Sequence, residues 1–506
     1  MALAQYWLNE CSSKHELCNS HVDSSFMPTR MLYVGATKSD YVRLHCSNVQ
    51  DRGTKYCTLS HTWGGVKDAL TLLSTNLTTL QQGISLSSLP KTFRDAVTIV
   101  QALNIQYLWI DSICIMQDSV EDWTSEAALM GSVYANSACT IMASAAKGPH
   151  DGLFAYRDPL AFFACKVAGS LETGTFASCG STSAVLLGQS HLNSRGWIKQ
   201  ERILSPRMLN FETSGISWSC LHGTATENER DDDARDCSLR ELEMYAQTGS
   251  LDDKLFLDRF DRYWKNLISL YSYCEFTNLS DKLIALSAIV QRLQKASGYM
   301  YFAGMWSPTL MGDLLWSSPY FKPRPSEYRA PSWSWASIEG WISFPNTEVT
   351  NSPRTEPMAK FLSCECTTHP LDIFKTGKVL DAQLRLSAKL RPWKTGLGKI
   401  FNSSHDLLLR EKSIGEVKPD CVALDLQDIH LKNLYLCPLE KYVCRSGQTD
   451  DGSYMSIKGL AVLPHAGGSN HYERIGTFAL HSTYHYTWAD AESLLDSYPT
   501  QDIVLR

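Results

Sequence analysis

The 506-residue chain lacks the features that direct proteins to membranes or nucleic acids. Its apolar runs are shorter than the roughly 20 residues that span a bilayer. Its amino terminus has no basic region followed by an apolar run, so we expect no secretory signal. A net charge of -6 and a pI of about 6.2 give no basic field for nucleic acid. We therefore expect a folded cytoplasmic protein with no membrane and no nucleic acid among its partners.

The common nucleotide-binding and metalloprotease motifs are also missing. No P-loop, no GxGxxG and no HExxH occurs in a suitable context. No internal repeat or low-complexity tract is apparent either. We therefore predict no cofactor, expect a small-molecule ligand or a partner protein, and leave the oligomeric state open.

Sixteen cysteines are scattered along the chain, and without an export signal we expect reduced thiols. Three potential metal ligands lie close together at Cys11, His15 and Cys18. A zinc site needs a fourth ligand, and no second pair with matching spacing is evident. We therefore predict no metal site and interpret these cysteines as small apolar side chains in a helical turn.

The order of apolar segments predicts four regions. Residues 1–50 are an entry segment, 51–235 an α/β core domain, 236–345 a helical unit that ends in a Trp-rich turn, and 346–506 a β-rich part. Strands and helices alternate in the first part of the core domain, which predicts a parallel sheet flanked by helices. The charged run 227–236 is typical of a solvated loop or linker.

Chemically active residues follow two predicted strands of the core. The stretch 56–65, YCTLSHTWGG, is a β segment whose glycines allow a sharp turn. The stretch 106–116, QYLWIDSICIM, is predicted to be a buried strand with Asp111 inside it. Functional groups in parallel α/β sheets collect at the carboxyl ends of strands. The candidate catalytic residues are His61, Asp111, Cys114 and Glu126, and the candidate ligand-binding residues are Trp63, Gly64, Gln117, Trp123, Arg195, Gln200 and Arg202.

Each candidate also has a structural interpretation. Asp111 is either a hydrogen-bond hub or a site residue, because an ionised carboxylate among apolar residues needs a partner. Cys114 is a small buried side chain, or the nucleophile of a Cys–His arrangement with His61. Glu126 is either a surface charge or a functional acid. In the run 195–207, pairs of arginine and glutamate that hold a loop are favoured over arginine forks that bind a phosphate or carboxylate.

Three long stretches, 56–65, 89–145 and 195–211, resemble in order and content the blocks of the fungal heterokaryon-incompatibility (HET) domain. The resemblance covers about 51–210 and continues more loosely to about 345. It implies a role in recognition of non-self after hyphal fusion and in programmed cell death. It also implies a distant similarity to TIR domains, which share an α/β sheet and include NAD-cleaving enzymes.

The resemblance leaves two enzymatic alternatives open. In NAD-cleaving TIR enzymes a glutamate next to a tryptophan contacts the nicotinamide ribose, and Trp123 and Glu126 have a similar arrangement. Such a carboxylate would stabilise an oxocarbenium-like transition state. HET-like proteins also occur near fungal specialised-metabolite genes. A cofactor-free cyclase or isomerase of the pericyclase kind, acting on a terpenoid or polyketide, would rely on orientation and one hydrogen-bond donor, such as His61 or Trp63.

Overall fold

A computed structural model divides the chain into two compact units, Met1–Glu241 and Leu242–Arg506. Most of the charged run 227–236 lies outside the described residues. No helix among the described residues is long and apolar enough to cross a membrane. The structure describes residues 1–20, 22–35, 39–65, 70–156, 165–167, 176–178, 191–227, 230–231, 239–249, 252–319, 322, 324–345, 354–369, 375–393, 397–401, 404–409, 412–420, 433–445, 453–481 and 498–506.

The first unit combines helices with one large sheet. Its helices are α1 (Ala2–Lys14), α2 (Glu16–Asn19), α3 (Leu77–Gln82), α4 (Lys91–Ala102), α5 (Asp111–Cys114), α6 (Val120–Ala135) and α7 (Gly196–Leu204), and α8 (Leu239–Thr248) crosses into the second unit. Its strands are β1 (Arg30–Tyr33), β2 (Tyr41–Cys46), β3 (Tyr56–Ser60), β4 (Ile84–Ser85), β5 (Tyr107–Ile110), β6 (Cys139–Met142), β7 (Cys165–Val167), β8 (Phe176–Ser178), β9 (Arg207–Glu212), β10 (Gly215–Cys220), β11 (Thr224–Thr226) and β12 (Arg230–Asp231).

The large sheet has a parallel centre and antiparallel flanks. Its strand order is β12-β11-β10-β9-β6-β3-β5-β1-β2-β4. The pairs β3–β5, β3–β6 and β6–β9 are parallel. The pairs β1–β2 and β9–β10 are antiparallel, as expected for strands that short connections join. The α/β expectation is thus confirmed in its coarse form, as a mixed sheet with parallel strands and flanking helices.

Two predicted helices of this unit form because their apolar residues recur at helical spacing. Helix α4 buries Phe93, Val97 and Val100 on one face and begins directly after Pro90. Helix α6 begins at an N-cap in which the hydroxyl of Ser119 accepts a hydrogen bond from the backbone N–H of Asp122. Helix α6 packs on the parallel strands, where Tyr56 of β3 donates to the carbonyl of Val133 and Trp109 of β5 contacts Tyr134.

The predicted strand 106–116 is wrong in its second half. Strand β5 ends at Ile110, and Asp111 begins the helical turn α5. The Oδ1 atom of Asp111 accepts a hydrogen bond from the backbone N–H of Ser112, which favours the turn. A continuous apolar run does not distinguish a buried strand from a buried helical turn. Asp111 therefore lies at the end of a strand and not inside one.

The second unit begins with helices and continues as a β-rich part, which confirms the expected β-rich C-terminal sheet. Its further helices are α9 (Asp253–Tyr271), α10 (Asp281–Ile284), α11 (Ser287–Ser297) and α12 (Leu310–Asp313). Its strands are β13 (Tyr301–Phe302), β14 (Met305–Trp306), β15 (Arg354–Pro357), β16 (Lys360–Thr368), β17 (Val379–Lys389), β18 (Arg391–Pro392), β19 (Leu397–Phe401), β20 (Ser404–Leu409), β21 (Lys412–Pro419), β22 (Tyr435–Arg445), β23 (Ser453–Pro464), β24 (His471–His481) and β25 (Thr500–Leu505).

The Trp-rich turn of the second unit is a packed core element. The indole N–H groups of Trp264 and Trp335 both donate to the carbonyl of Gly304, at 3.2 and 2.8 Å. The buried ammonium of Lys282 donates to the carbonyl of Ile338, and burial lowers the pKa of Lys282 to about 7. The turn and helix α10 therefore stabilise each other inside this unit.

Candidate functional site

The ends of two parallel strands bring three candidate residues together. Strands β3 and β5 pair in register, with Leu59 opposite Ile110, so the residues that follow them leave the sheet at the same edge. The indole N–H of Trp63 donates to Oδ2 of Asp111 over 2.8 Å. The Nδ1 atom of His61 lies 3.6 Å from Oδ1 of the same carboxylate. In the structure these three side chains lie together where the two strands end.

Gly64 allows the chain to make this approach. Its φ of +69° lies in the left-handed region that side chains disfavour. A Cβ atom there would lie only 2.9 Å from Cα of Gly148. Gly64 is thus required for the course of the backbone, and nothing shows that it contacts a ligand.

His61 is a buried, neutral group. Only 4% of the residue is exposed, and its ring packs edge-on against Phe93 with centroids 5.0 Å apart. Burial lowers the pKa of His61, while the charge of Asp111 opposes that shift. A separation of 3.6 Å is longer than a hydrogen bond. His61 and Asp111 would have to move together by about half an ångström to form the pair that acid–base catalysis uses.

A second acidic residue, Glu201 of α7, lies close to this group although it is distant in the sequence. The residue is 6% exposed, and burial raises its pKa to about 7, although the Ser60 hydroxyl opposes the shift. The charges of Asp111 and Arg195 both act on it. Arg195 also donates a hydrogen bond to the carbonyl of His61. We call His61, Trp63, Asp111, Arg195 and Glu201 the strand-end cluster.

The two carboxylates of the strand-end cluster differ in environment. A quarter of the Asp111 side chain is exposed, at 24%, whereas Glu201 is buried beside the phenol of Tyr134. Paired carboxylates in unlike environments are a common arrangement for an acid and a base that act together. The cluster therefore holds a buried carboxyl group whose pKa is raised to about 7, next to the Asp111 side chain that an indole orients.

Comparison with known families places this cluster within one domain. Residues 56–201 match the family model described as "Heterokaryon incompatibility protein (HET)". The chain contains a HET domain. All five residues of the strand-end cluster lie within the matched range. No curated protein and no solved structure gives a significant match to the chain.

Cys114 of the HET domain has the environment of a structural cysteine. The residue is fully buried, and burial raises its pKa to about 12. No hydrogen bond joins its thiol to His61 among the residues that the structure describes. A nucleophilic cysteine needs a lowered pKa and a nearby base. The Cys–His arrangement considered from the sequence is therefore not formed in this structure.

Glu126 belongs to a second buried group of the HET domain. Its Oε1 atom lies 3.4 Å from a guanidinium nitrogen of Arg30, which also lies 2.6 Å from Asp122. Glu126 is only 3% exposed, and burial raises its pKa against the effects of the Thr29 hydroxyl and Arg30. Arg30 donates in addition to the carbonyl of Cys114. Of the two interpretations of Glu126, the surface charge is thus wrong, and the residue lies within a buried ion-pair network.

The remaining candidate ligand-binding residues are held by the protein itself. The side-chain amide of Gln117 donates to the carbonyls of Asp111 and Ile115. The ring of Trp123 packs edge-on against Trp197 at 6.4 Å. Gln117 therefore braces the turn at Asp111, and Trp123 joins helix α6 to helix α7.

Gln200 and Arg202 lie on helix α7. Gln200 is fully buried. Arg202 donates to the side chain of Asn193 over 3.3 Å, and burial lowers its pKa while the charge of Glu212 opposes the shift. These contacts agree with the interpretation in which arginine and acidic residues hold the segment on the core.

A cavity of the first unit lies beside the start of helix α4 and away from the strand-end cluster. Its volume is about 620 Å³, and its wall includes the basic residues Lys91, Arg94 and His150 and the apolar Leu70, Leu73 and Leu89. None of the candidate catalytic or ligand-binding residues lines it. The cluster is the stronger candidate for a functional site than the cavity, because it combines buried titratable groups with a fixed carboxylate.

Proposed function

We propose that this protein is a fungal incompatibility factor that triggers cell death on recognition of non-self, and that its output depends on the strand-end cluster. The HET domain supports a heterokaryon-incompatibility-type function at the level of the family. The observation that carries the finer proposal is the Asp111 carboxylate. The indole of Trp63 fixes it at the sheet edge, beside a neutral histidine and a second carboxylate.

In this proposal the cluster acts as a trigger by changing from the arrangement described here to a second one. Asp111 is held by neutral donors, from Trp63 and from the backbone of Ser112, and makes no hydrogen bond with His61 at 3.6 Å. A small displacement would complete the His61–Asp111 pair and change the charge near Glu201. A ligand or partner that contacts the exposed part of Asp111 would favour one of these states.

The two enzymatic alternatives receive no support from a specific contact. The residue considered for NAD cleavage, Glu126, is buried against Arg30 and Asp122. The cavity expected for a terpenoid or polyketide would be mainly apolar, whereas the cavity beside helix α4 has three basic residues in its wall. NAD cleavage is measured as one readout of the expression experiment.

Regulated expression of the full chain in a fungal strain that lacks it tests the proposal. We expect arrest of colony growth and uptake of a vital dye by hyphal compartments after induction, compared with a control transcript that carries an early stop codon. Cellular NAD, measured before dye uptake begins, separates NAD cleavage from other routes to death. Normal growth and dye exclusion at verified levels of the full chain would contradict the proposal.

A further inference from the structure

Potential metal ligands from the N-terminal helices meet a fourth from a distant strand. Cys11 lies in α1, His15 between α1 and α2, Cys18 in α2, and Cys220 is the last residue of β10. One potential ligand atom of each residue lies within 4.8 Å of all the others. The sequence predicts no metal site because no fourth ligand lies near the first three, yet the fold supplies one.

The spacing fits a tetrahedral ion. With Zn–S bonds of about 2.3 Å and Zn–N bonds of about 2.0 Å, a sulfur and a nitrogen of one tetrahedral site lie about 3.5 Å apart. The Sγ atom of Cys220 lies 3.5 Å from Nδ1 of His15. The other ligand atoms lie within 4.8 Å. A movement of about one ångström, which side-chain torsions permit, would complete the site.

The backbone around the sulfur atoms is arranged as in sites that hold thiolates. The backbone of Leu221 lies beside the Cys18 thiol, and the backbones of His222 and Gly223 lie beside the Cys220 thiol. Such N–H groups stabilise sulfur ligands that carry negative charge and fix their orientation. The ring of His222 also stacks on that of His15, with centroids 4.1 Å apart.

A buried cation beside the cysteines has no carboxylate partner in the described part of the chain. Arg207 is 4% exposed, and its Nε atom lies 3.2 Å from Sγ of Cys11. Its other hydrogen bond goes to the side chain of Asn19, which is neutral. Buried charges are normally compensated by an opposite charge. Three thiolates and a neutral imidazole around a divalent cation carry a net charge of about -1, which Arg207 would balance.

We propose that Cys11, His15, Cys18 and Cys220 bind one zinc ion, which fastens helices α1 and α2 to the end of strand β10. Thiolate and imidazole ligands select zinc over magnesium or calcium. Four protein ligands leave no open position for water or substrate, so the ion is structural and takes no part in chemistry. It acts as a cross-link between segments far apart in the sequence.

Metal analysis of the purified full chain tests the proposal directly. Under reducing conditions with zinc in the medium, we expect one zinc ion per chain after dialysis. Cys220→Ala should lower the zinc content at least about tenfold, since loss of a ligand is more severe than loss of a residue that orients one. Cys139→Ala removes a buried cysteine of β6 that is not a proposed ligand. This variant should retain the zinc, which would show that loss of a buried thiol does not by itself lower the zinc content.

Cobalt substitution keeps the test decisive if Cys220→Ala does not fold. Cobalt bound to the wild-type chain should show thiolate-to-cobalt charge transfer and the visible bands of a tetrahedral site. His15→Cys should still bind the metal and increase the charge-transfer intensity, because a fourth thiolate replaces the imidazole. His222→Ala, which removes the neighbouring ring and no ligand, should leave the cobalt spectrum unchanged.

Three results would each overturn the proposal. The first is a wild-type chain that holds less than about a tenth of an equivalent of zinc after refolding with the metal. The second is a folded Cys220→Ala chain with undiminished zinc content. The third is a disulfide between two of these cysteines in protein prepared under reducing conditions.

Discussion

The indole N–H of Trp63 donates to Oδ2 of Asp111 over 2.8 Å and links the residues that follow strands β3 and β5. Because the donor is neutral and the acceptor is a carboxylate, this hydrogen bond orients Asp111 without neutralising it. The remaining oxygen faces His61 at 3.6 Å. The geometry of the strand-end cluster therefore depends on one side-chain contact between the first two blocks of the HET domain.

We expect Trp63→Phe and Asp111→Ala to be coupled in stability. Hydrogen bonds to charged groups contribute about 1.5–3 kcal/mol, and the partial exposure of Asp111 reduces this to about 1–2 kcal/mol. A double-mutant cycle of denaturant unfolding measures the coupling. The same cycle with Asp118→Ala in place of Asp111→Ala should be additive within about 0.5 kcal/mol, since Asp118 bonds instead to Ser74. Additivity of the Trp63 and Asp111 changes would refute the contact.

The stability of the chain should depend on the proton of Glu201. Burial raises the pKa of this carboxyl from 4.5 to about 7, so the folded state binds a proton that the unfolded state releases. Its contribution is present below pH 4.5 and is lost as the pH rises through about 7. The difference corresponds to ~3 kcal/mol over this interval.

Unfolding of the Glu201→Gln variant as a function of pH checks this expectation. As the pH rises between about 4.5 and 7, the free energy of unfolding of the wild-type chain should decrease. The variant should not show this decrease. Glu121→Gln, on the exposed side of α6, should keep the wild-type dependence. Identical pH profiles for wild type and Glu201→Gln would show that Glu201 is ionised in the folded protein.

Cys114 should resist alkylation. Its thiol is buried and its pKa is raised to about 12, so little thiolate exists near neutral pH. Cys46 is exposed and serves as the internal reference. Peptide mass spectrometry after brief iodoacetamide treatment should find Cys46 modified at least about a hundredfold faster than Cys114. Comparable rates would restore Cys114 as a candidate nucleophile.

The two glycines after Trp63 should respond differently to alanine. Both have positive φ angles, +69° at Gly64 and +66° at Gly65, so both variants carry about 1 kcal/mol of backbone strain. A Cβ at Gly64 also lies 2.9 Å from Gly148, whereas one at Gly65 meets open space. We expect Gly64→Ala to be less stable than Gly65→Ala by about 1–2 kcal/mol in thermal unfolding. Equal stabilities would mean that the backbones around Gly64 and Gly148 separate easily.

The sequence predicts those parts of the HET domain that depend on local patterns. The helices around Phe93 and Met130 and the strand Tyr56–Ser60 follow from apolar spacing and from short β segments. The meeting of His61 and Asp111 follows from the rule for parallel strand ends. The helical turn at Asp111 does not follow from the sequence pattern, because an apolar run is compatible with a buried strand or with a buried helical turn.

The features that the sequence does not predict depend on contacts between segments that are far apart in the chain. The sequence favours Glu201 as the acidic half of an arginine–glutamate pair that holds a loop, and only the fold places it near Asp111 and Tyr134. Cys220 has no metal-ligand spacing to any cysteine near it in sequence, and strand β10 alone brings it to Cys11 and Cys18. The spacing of apolar residues predicts helices and strands, but it does not predict which distant segments contact each other or which polar residues become buried.

Cell death caused by Asp111→Asn, compared with that caused by wild type, tests the central claim most directly. Both chains are induced to the same level in the same fungal strain, and the fraction of hyphal compartments that take up a vital dye is counted. Asp118→Asn, an exposed carboxylate in the same sequence block, is the control. We predict that Asp111→Asn lowers dye uptake to the background level while Asp118→Asn behaves as wild type. Full killing by a folded Asp111→Asn chain would contradict the role assigned to the strand-end cluster.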